Sequence, residues 1–172
     1  MTNALGRMAL ALLAAAALAG CGALSGAKAL VGLAPAPVKP DWANVTLAAA
    51  PDANADSALA VDIVLVKDPA LLESLSAMSA AKYFGARENL LRTFPDGLTV
   101  LAVEITPGQL IRLQPERYRK ERAWAALAFA NYANPGEHRL RLALDRPSCV
   151  LQLNAQEFVA AGMAGTTPGT AR

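Results

Sequence analysis

Few side chains in this sequence could do chemistry by type. Its 172 residues hold two cysteines, Cys21 and Cys149, and a single histidine, His138. A thiol can serve as nucleophile, metal ligand, disulfide partner or point of lipid attachment, and an imidazole can activate it or share a metal. Cys149 and His138 fall on neighbouring predicted strands, which raises the question of a thiol and imidazole pair. The pattern argues against one. His138 opens an exposed strand, whereas Cys149 alternates with Leu151 and Leu153, where a cysteine acts as a small buried hydrophobe; a free reactive thiol is the alternative. A zinc centre needs three or four ligands that the composition lacks. Asp52 and Asp56 are not followed by the glycine and terminal glutamate of a calcium loop. Neither a phosphate-cradling glycine loop nor a nucleophile elbow occurs. We therefore expect no catalytic residues, no metal and no cofactor.

Cys21 stands in a different setting. Arg7 precedes an apolar run over residues 8–18, and small residues follow, which are the three parts of a secretory signal. The run is far shorter than the about 20 apolar residues that a membrane-spanning helix needs. Leu18-Ala19-Gly20-Cys21 resembles the bacterial lipobox. That resemblance implies cleavage between Gly20 and Cys21, a diacylglyceryl group on the Cys21 thiol, and an acyl chain such as palmitate on the new amino group. An ordinary signal peptide with an incidental cysteine is the alternative. Two or three chains anchor durably where one binds only marginally. Gly22, in place of the aspartate that retains many lipoproteins at the inner membrane, favours the periplasmic face of the outer membrane.

Removing Arg7 with the signal leaves 15 Lys and Arg against 14 Asp and Glu, a net charge of +1. That balance gives no electrostatic reason to expect nucleic acid as a partner. With Cys21 lipidated, Cys149 has no intramolecular disulfide partner. Residues 21–40, punctuated by Pro35, Pro37 and Pro40, read as a lipidated cysteine and extended tether. Residues 41–161 have the length of one domain. Residues 162–172, rich in Gly, Thr and Pro, read as a loose tail.

The elements that must position any site are mostly strands. Val45, Leu47 and Ala49 alternate with smaller or polar residues until Pro51 stops them. Pro51-Asp52-Ala53-Asn54-Ala55-Asp56-Ser57 is composed of turn residues and reads as an exposed loop. Leu59, Val61, Ile63 and Leu65 share one face of a β-branched run, a buried strand. Asp68-Pro69 is a helix start, followed by Leu71, Leu72, Leu75 and Met78 at helical spacing and a second helical piece over residues 82–92. Pro95-Asp96-Gly97 turns the chain. Leu101, Val103 and Ile105, then a turn at Thr106-Pro107-Gly108-Gln109 and a run over residues 110–113, predict a hairpin. Residues 123–132 are alanine-rich and fit helix or strand; strand is the choice. Leu140, Leu142 and Leu144 alternate with Arg139, Arg141 and Ala143, and Cys149, Leu151 and Leu153 predict a last strand. Some seven strands with a short helical insertion predict a mainly β fold, a two-sheet antiparallel β-sandwich. The basic run Arg112, Arg117, Arg119, Lys120 and Arg122, interleaved with Glu116, Tyr118 and Glu121, reads as a solvated loop with local ion pairs, or as a surface for an acidic partner or lipid headgroups.

These features together resemble the outer-membrane lipoprotein family of the type VI secretion system, the TssJ family. The resemblance rests on the lipobox and spacer, on Ala50-Pro51-Asp52-Ala53-Asn54-Ala55-Asp56 after the first strand, and on Ile63-Val64-Leu65-Val66-Lys67-Asp68-Pro69. It continues through Lys82-Tyr83-Phe84, Ile105-Thr106-Pro107-Gly108-Gln109 and Ala128-Phe129-Ala130-Asn131-Tyr132. Ser57-Ala58-Leu59-Ala60 replaces the family's usual segment before the second strand, and the arginine after the late phenylalanine is missing, which marks a divergent paralogue. The resemblance implies a transthyretin-like sandwich that binds the periplasmic part of the inner-membrane protein TssM and is held to outer-membrane lipid through Cys21. It implies that Pro51, Asp52, Asn54, Asp56 and Ser57 contact that partner. A solvated connector that only turns the chain is the other reading of this loop, and a periplasmic sandwich lipoprotein that binds a small or envelope ligand, unrelated to secretion, is the other reading of the chain.

Overall fold

Two four-stranded sheets face each other in the computed structural model, which describes residues 36–161. Gly20, Cys21 and the segments expected to be signal, most of the tether and tail lie outside the described residues. The strands are β1 (Asn44–Ala49), β2 (Leu59–Val66), β3 (Leu98–Ile105), β4 (Leu110–Leu113), β5 (Ala125–Ala130), β6 (Arg139–Leu142), β7 (Ser148–Leu153) and β8 (Phe158–Ala161). Helices α1 (Pro69–Ala77) and α2 (Ala80–Thr93) intervene between β2 and β3. One sheet runs β4-β1-β7-β8 and the other β3-β2-β5-β6. The fold is the mainly β sandwich with a short helical insertion that the patterning predicts. Its one departure from antiparallel pairing is β1 beside β7, parallel from Asn44↔Ser148 to Ala49↔Leu153.

Side-chain alternation assigns the two faces of the second sheet to two different cores. Val61, Ile63 and Leu65 of β2 turn toward the other sheet, where they meet Val45, Leu47, Leu151 and Leu153. Val64 and Val66 turn the other way, under Leu71 and Leu75 of α1 and Tyr83 of α2. A strand buried on both faces must be nearly continuous in apolar residues, as β2 is. The same geometry resolves the alanine-rich run as strand β5. Ala126, Ala128 and Ala130 sit between the sheets, where Trp42 and Tyr118 occupy the volume, while Leu127 and Phe129 lie under the helices.

Helix starts follow the sequence chemistry. The Asp68 carboxylate accepts the Ala70 N–H at 2.9 Å, with Pro69 in the first turn. Ser79 caps α2 in the same way through the Lys82 N–H. One β2 residue breaks the apolar rule: Asp62 is 2% exposed on the helix side. Its carboxylate accepts the Tyr83 hydroxyl at 2.8 Å and pairs with the Arg87 guanidinium, so the charge is answered where it is buried. Tyr83 is stacked on Phe129, with ring centroids 4.1 Å apart. Burial, and then the neighbouring carboxylate, push the Tyr83 hydroxyl far above its ordinary range, which keeps it a donor.

The expected hairpin over residues 101–113 does not form. β3 pairs with β2 and β4 pairs with β1, so the turn at residues 106–109 carries the chain from one sheet to the other. The cause lies in the backbone partners of that turn. The Gly108 N–H donates to Ala50 O at 3.1 Å and the Ala49 N–H donates to Gln109 O at 2.9 Å, which ties the turn to the end of β1. Gly108, at φ +74°, supplies the left-handed residue needed there. β7 is also not the last strand, since β8 follows and pairs with it from Val150↔Ala161 to Leu153↔Phe158.

Candidate functional site: a knitted loop platform

Strand directions gather four loops at one end of the sandwich. β1, β3, β5 and β7 finish there, and β2, β4, β6 and β8 start there, so residues 50–58, 106–109, 131–138 and 154–157 share that end. The first described residues sit at the opposite end, where Val38 and Ala123 exchange N–H···O bonds of 2.9 Å in each direction. Chain arrival and loop cluster are therefore at opposite poles of the domain.

The loops are tied to one another by side chains. Asn54 Oδ1 accepts the Ala133 N–H at 2.8 Å, and Asn54 Nδ2 donates to Ala58 O at 3.1 Å. The Tyr132 hydroxyl lies 2.7 Å from Glu157 O and 3.1 Å from Asn154 O. Asn134 Nδ2 donates to Gln156 O at 3.2 Å, and His138 Nε2 lies 2.9 Å from Asn134 O. The Tyr132 and His138 rings pack at 4.7 Å. Burial raises the Tyr132 hydroxyl to about 12, holding it protonated as a donor at neutral pH. Shallow hollows of about 310 Å³ and about 260 Å³ flank His138.

Backbone strain concentrates here as well. Among the described residues, the non-glycine residues with left-handed φ are Asn54 at 50°, Ala55 at 51°, Asp56 at 62° and His138 at 42°, and all belong to this end. Three in succession is a costly conformation for residues with a Cβ, and such strain clusters where a surface has a task. The four loops carry Asp52, Asp56, Glu137 and Glu157 and neither lysine nor arginine; Arg139 at the start of β6 pairs with Glu137 at 3.1 Å, so Asp52, Asp56 and Glu157 make the platform an acidic surface on a rigid support.

The sequence-based site residues divide. Pro51, Asp52, Asp56 and Ser57 are exposed, as expected of a contact loop. Asn54 is not: it is 5% exposed, and both ends of its amide are used within the domain. Its exposure is corrected because the left-handed turn rolls its side chain inward, where an amide can serve two backbone groups at once. Ala53 is buried beside it. The residues that lock the platform, Tyr132 and Asn134, were not singled out by sequence reasoning; the Asn-Pro-Gly turn at residues 134–136 was the available signal.

The other candidates are not brought together. Cys149 is buried on β7 in the inter-sheet core, its thiol pushed up to about 12 by burial, and His138 precedes β6 in the opposite sheet. Among the described residues no group of three or more His, Cys, Asp or Glu could hold a metal ion, and no helix is long and apolar enough to cross a membrane. Within the basic run, Tyr118 is fully buried against Trp42 with centroids 5.9 Å apart, Arg117 donates to Ala102 O on the edge strand β3, and Arg122 donates to Pro37 O. Glu121 pairs with Lys67 at 3.5 Å rather than with a cation of its own run.

No family model and no curated protein matches the sequence. Solved structures do match in fold. The chain is similar to the type VI secretion lipoprotein TssJ1 from Pseudomonas aeruginosa, with 19% identity, a TM-score of 0.53, and coverage of 76% of this chain and 100% of that one. It is also similar to a chain of a type VI membrane complex, at 17% identity and TM-score 0.52, covering 68% of this chain and 95% of that one. At these identities the likeness is one of fold.

Proposed function

We propose that this chain is a divergent TssJ-like lipoprotein, a non-enzymatic component of the type VI secretion envelope complex. Cys21 carries the lipid and holds the protein to the outer membrane on its periplasmic side, and residues 22–36 are the tether, since residues 37–40 are bonded to the domain. The domain binds the periplasmic part of a TssM-like inner-membrane protein through the four-loop platform. The observation that carries this reading is polarity. The chain arrives at one pole, and the opposite pole bears the strained, cross-linked, acidic loops, so a lipid-anchored molecule presents that surface away from the membrane. The fold likeness to TssJ1 supports the same assignment.

Binding falls to Asp52, Asp56 and Ser57, with Pro51 shaping the turn; Glu157 adds charge beside them. Asn54 contributes by holding the loop in its contact geometry. Steering by Asp52, Asp56 and Glu157 favours a partner surface rich in Lys and Arg.

Detergent extraction of the lipidated protein from envelopes, followed by affinity capture and mass spectrometry, tests the proposal. Recovery of a TssM-like protein, lost when Asp52 and Asp56 are both changed to Lys, is the expected result. Its absence under conditions that preserve other envelope complexes would overturn the assignment. In cells, Cys21→Ser should remove the protein from the outer-membrane fraction; persistence there would sink the anchor.

A further inference from the structure

A hollow of about 680 Å³ lies at the pole where the chain arrives, far from the loop platform. It is lined by Lys39, Arg122 and Arg141, by the half-buried ring of Trp124, and by Asp41 and Asp145. None of these three cations has a carboxylate within ion-pairing distance among the described residues, although two carboxylates share the same hollow. The rim is built rather than loose. Val38 is paired to Ala123, Asp41 N–H donates to Leu144 O at 2.8 Å, and the buried Trp42 donates to Ala143 O at 2.8 Å. Val38 itself is 50% exposed on the outer lip.

We infer that this hollow is a phospholipid headgroup site that sets the orientation of the domain on the membrane; the inference rests on the anchoring proposed for Cys21. Three cations without a carboxylate partner, Arg122 among them held in place by Pro37 O, suit a phosphate, two nearby carboxylates suit an adjacent ammonium, and a tryptophan beside an exposed valine suits the boundary between headgroups and acyl chains. Both signs of charge in one hollow match the phosphoethanolamine head better than a simple anion. The location agrees: residues 22–36 span at most about 45 Å at roughly 3.1 Å per residue, so a lipid on Cys21 keeps this pole within reach of the bilayer. A tether alone leaves the domain free to tumble. Headgroup contacts at the arrival pole would turn the acidic platform outward.

The test uses the chain from residue 21 onward carrying Cys21→Ser, so that no acyl chain contributes, and vesicles of phosphatidylethanolamine with phosphatidylglycerol. Sedimentation with these vesicles, a blue shift in emission that Trp124→Phe removes, and weaker binding to phosphatidylcholine vesicles are expected. Lys39→Glu with Arg141→Glu, two exposed positions whose side chains make no hydrogen bond among the described residues, should lower the affinity by about tenfold or more with an unchanged melting temperature. Equal binding to both vesicle types, or indifference to charge reversal, overturns the headgroup site. Saturation by inorganic phosphate with no vesicle binding assigns the hollow to a soluble phosphate and equally overturns it. Partner capture by the same double variant keeps the two readings apart, because it depends on the opposite pole: intact capture with lost vesicle binding is the expected pattern.

Discussion

Asn54 reaches across to Ala133, 79 residues further along the chain, and takes its N–H at 2.8 Å. The bond makes two loops one body, and it is available only because Asn54 adopts a left-handed backbone at φ 50°. A residue that composition reads as one polar member of an exposed loop is thus the keystone of the platform.

Asn54→Ala should cost about 2 kcal/mol, since it strands a backbone donor and removes a residue type tolerant of left-handed φ. Asp52→Ala should change stability by under about 0.5 kcal/mol, as expected of an exposed position. Urea unfolding of both variants separates them, and equal midpoints would show that the Ala133 bond is not what holds the loops.

The buried carboxylate of Asp62 makes a second prediction. Asp62→Ala leaves the Tyr83 hydroxyl and the Arg87 guanidinium without their shared acceptor, at a cost of roughly 2–3 kcal/mol. Arg87→Ala should cost less, because Tyr83 still answers the carboxylate and Arg87 is one-third exposed. A double-mutant cycle between Asp62 and Tyr83 should show coupling of at least about 0.5 kcal/mol; additive effects would deny that the two act as a unit.

Tyr118 reverses the usual direction. Its hydroxyl is buried with no hydrogen-bond partner among the described residues, so the group was taken from water without compensation from them. Tyr118→Phe keeps the ring packed on Trp42 and removes the unpaired group, and should be neutral or stabilising by up to about 1 kcal/mol. A clear drop in melting temperature would reveal a partner for that hydroxyl.

Alkaline titration should destabilise the fold in a defined window. Burial raises Cys149 from 9.0 to about 12 and Tyr132 from 10.0 to about 12. Each group binds its proton more tightly when folded, so its contribution is complete below its unfolded value and is lost as pH rises toward about 12. Stability should be flat with respect to these groups up to about pH 9 and fall above it. Tyr132→Phe with Cys149→Ala should flatten that fall, although each change also alters packing. At pH 8 a thiol reagent should modify Cys149 only as fast as the fold opens, which stopped-flow labelling reads directly.

How far the sequence discloses this molecule depends on whether a feature is local. The cap at Asp68, the buried β2 and the half-exposed β6 are written in periods and neighbours, and the predicted elements fall where those signals are, except that the second helix starts at Ala80 behind the Ser79 cap, two residues before the predicted start. The turn at residues 106–109 was read correctly as a turn, yet its strands join different sheets, because that choice is made by Ala49 and Ala50 more than fifty residues earlier. Asn54 and Asp62 escaped for a related reason: a polar residue in a loop or a strand shows no sign, by itself, that distant groups will satisfy it. Exposure of Asp52, Asp56 and Ser57 was legible because turn composition alone puts such residues in water.

Partner binding should show the acidity of the platform in its rate rather than in its contacts alone. Asp52, Asp56 and Glu157 project from the same pole with no lysine or arginine in their loops, while Glu137 beside them is paired with Arg139, so the fields of the three add along the approach to it. Exposed charges of this kind act mainly on association, and their effect is screened beyond about 10 Å at 0.1 M salt. Reversing Asp52 and Asp56 to Lys should therefore slow capture of the TssM-like periplasmic domain by about tenfold or more at low ionic strength, with a smaller difference at 0.5 M salt, while dissociation changes less. Surface plasmon resonance across a salt series separates these rates. If the loss lies wholly in dissociation and is indifferent to salt, the loop makes close contacts but does not steer, and the acidic character of the platform belongs to something other than this partner.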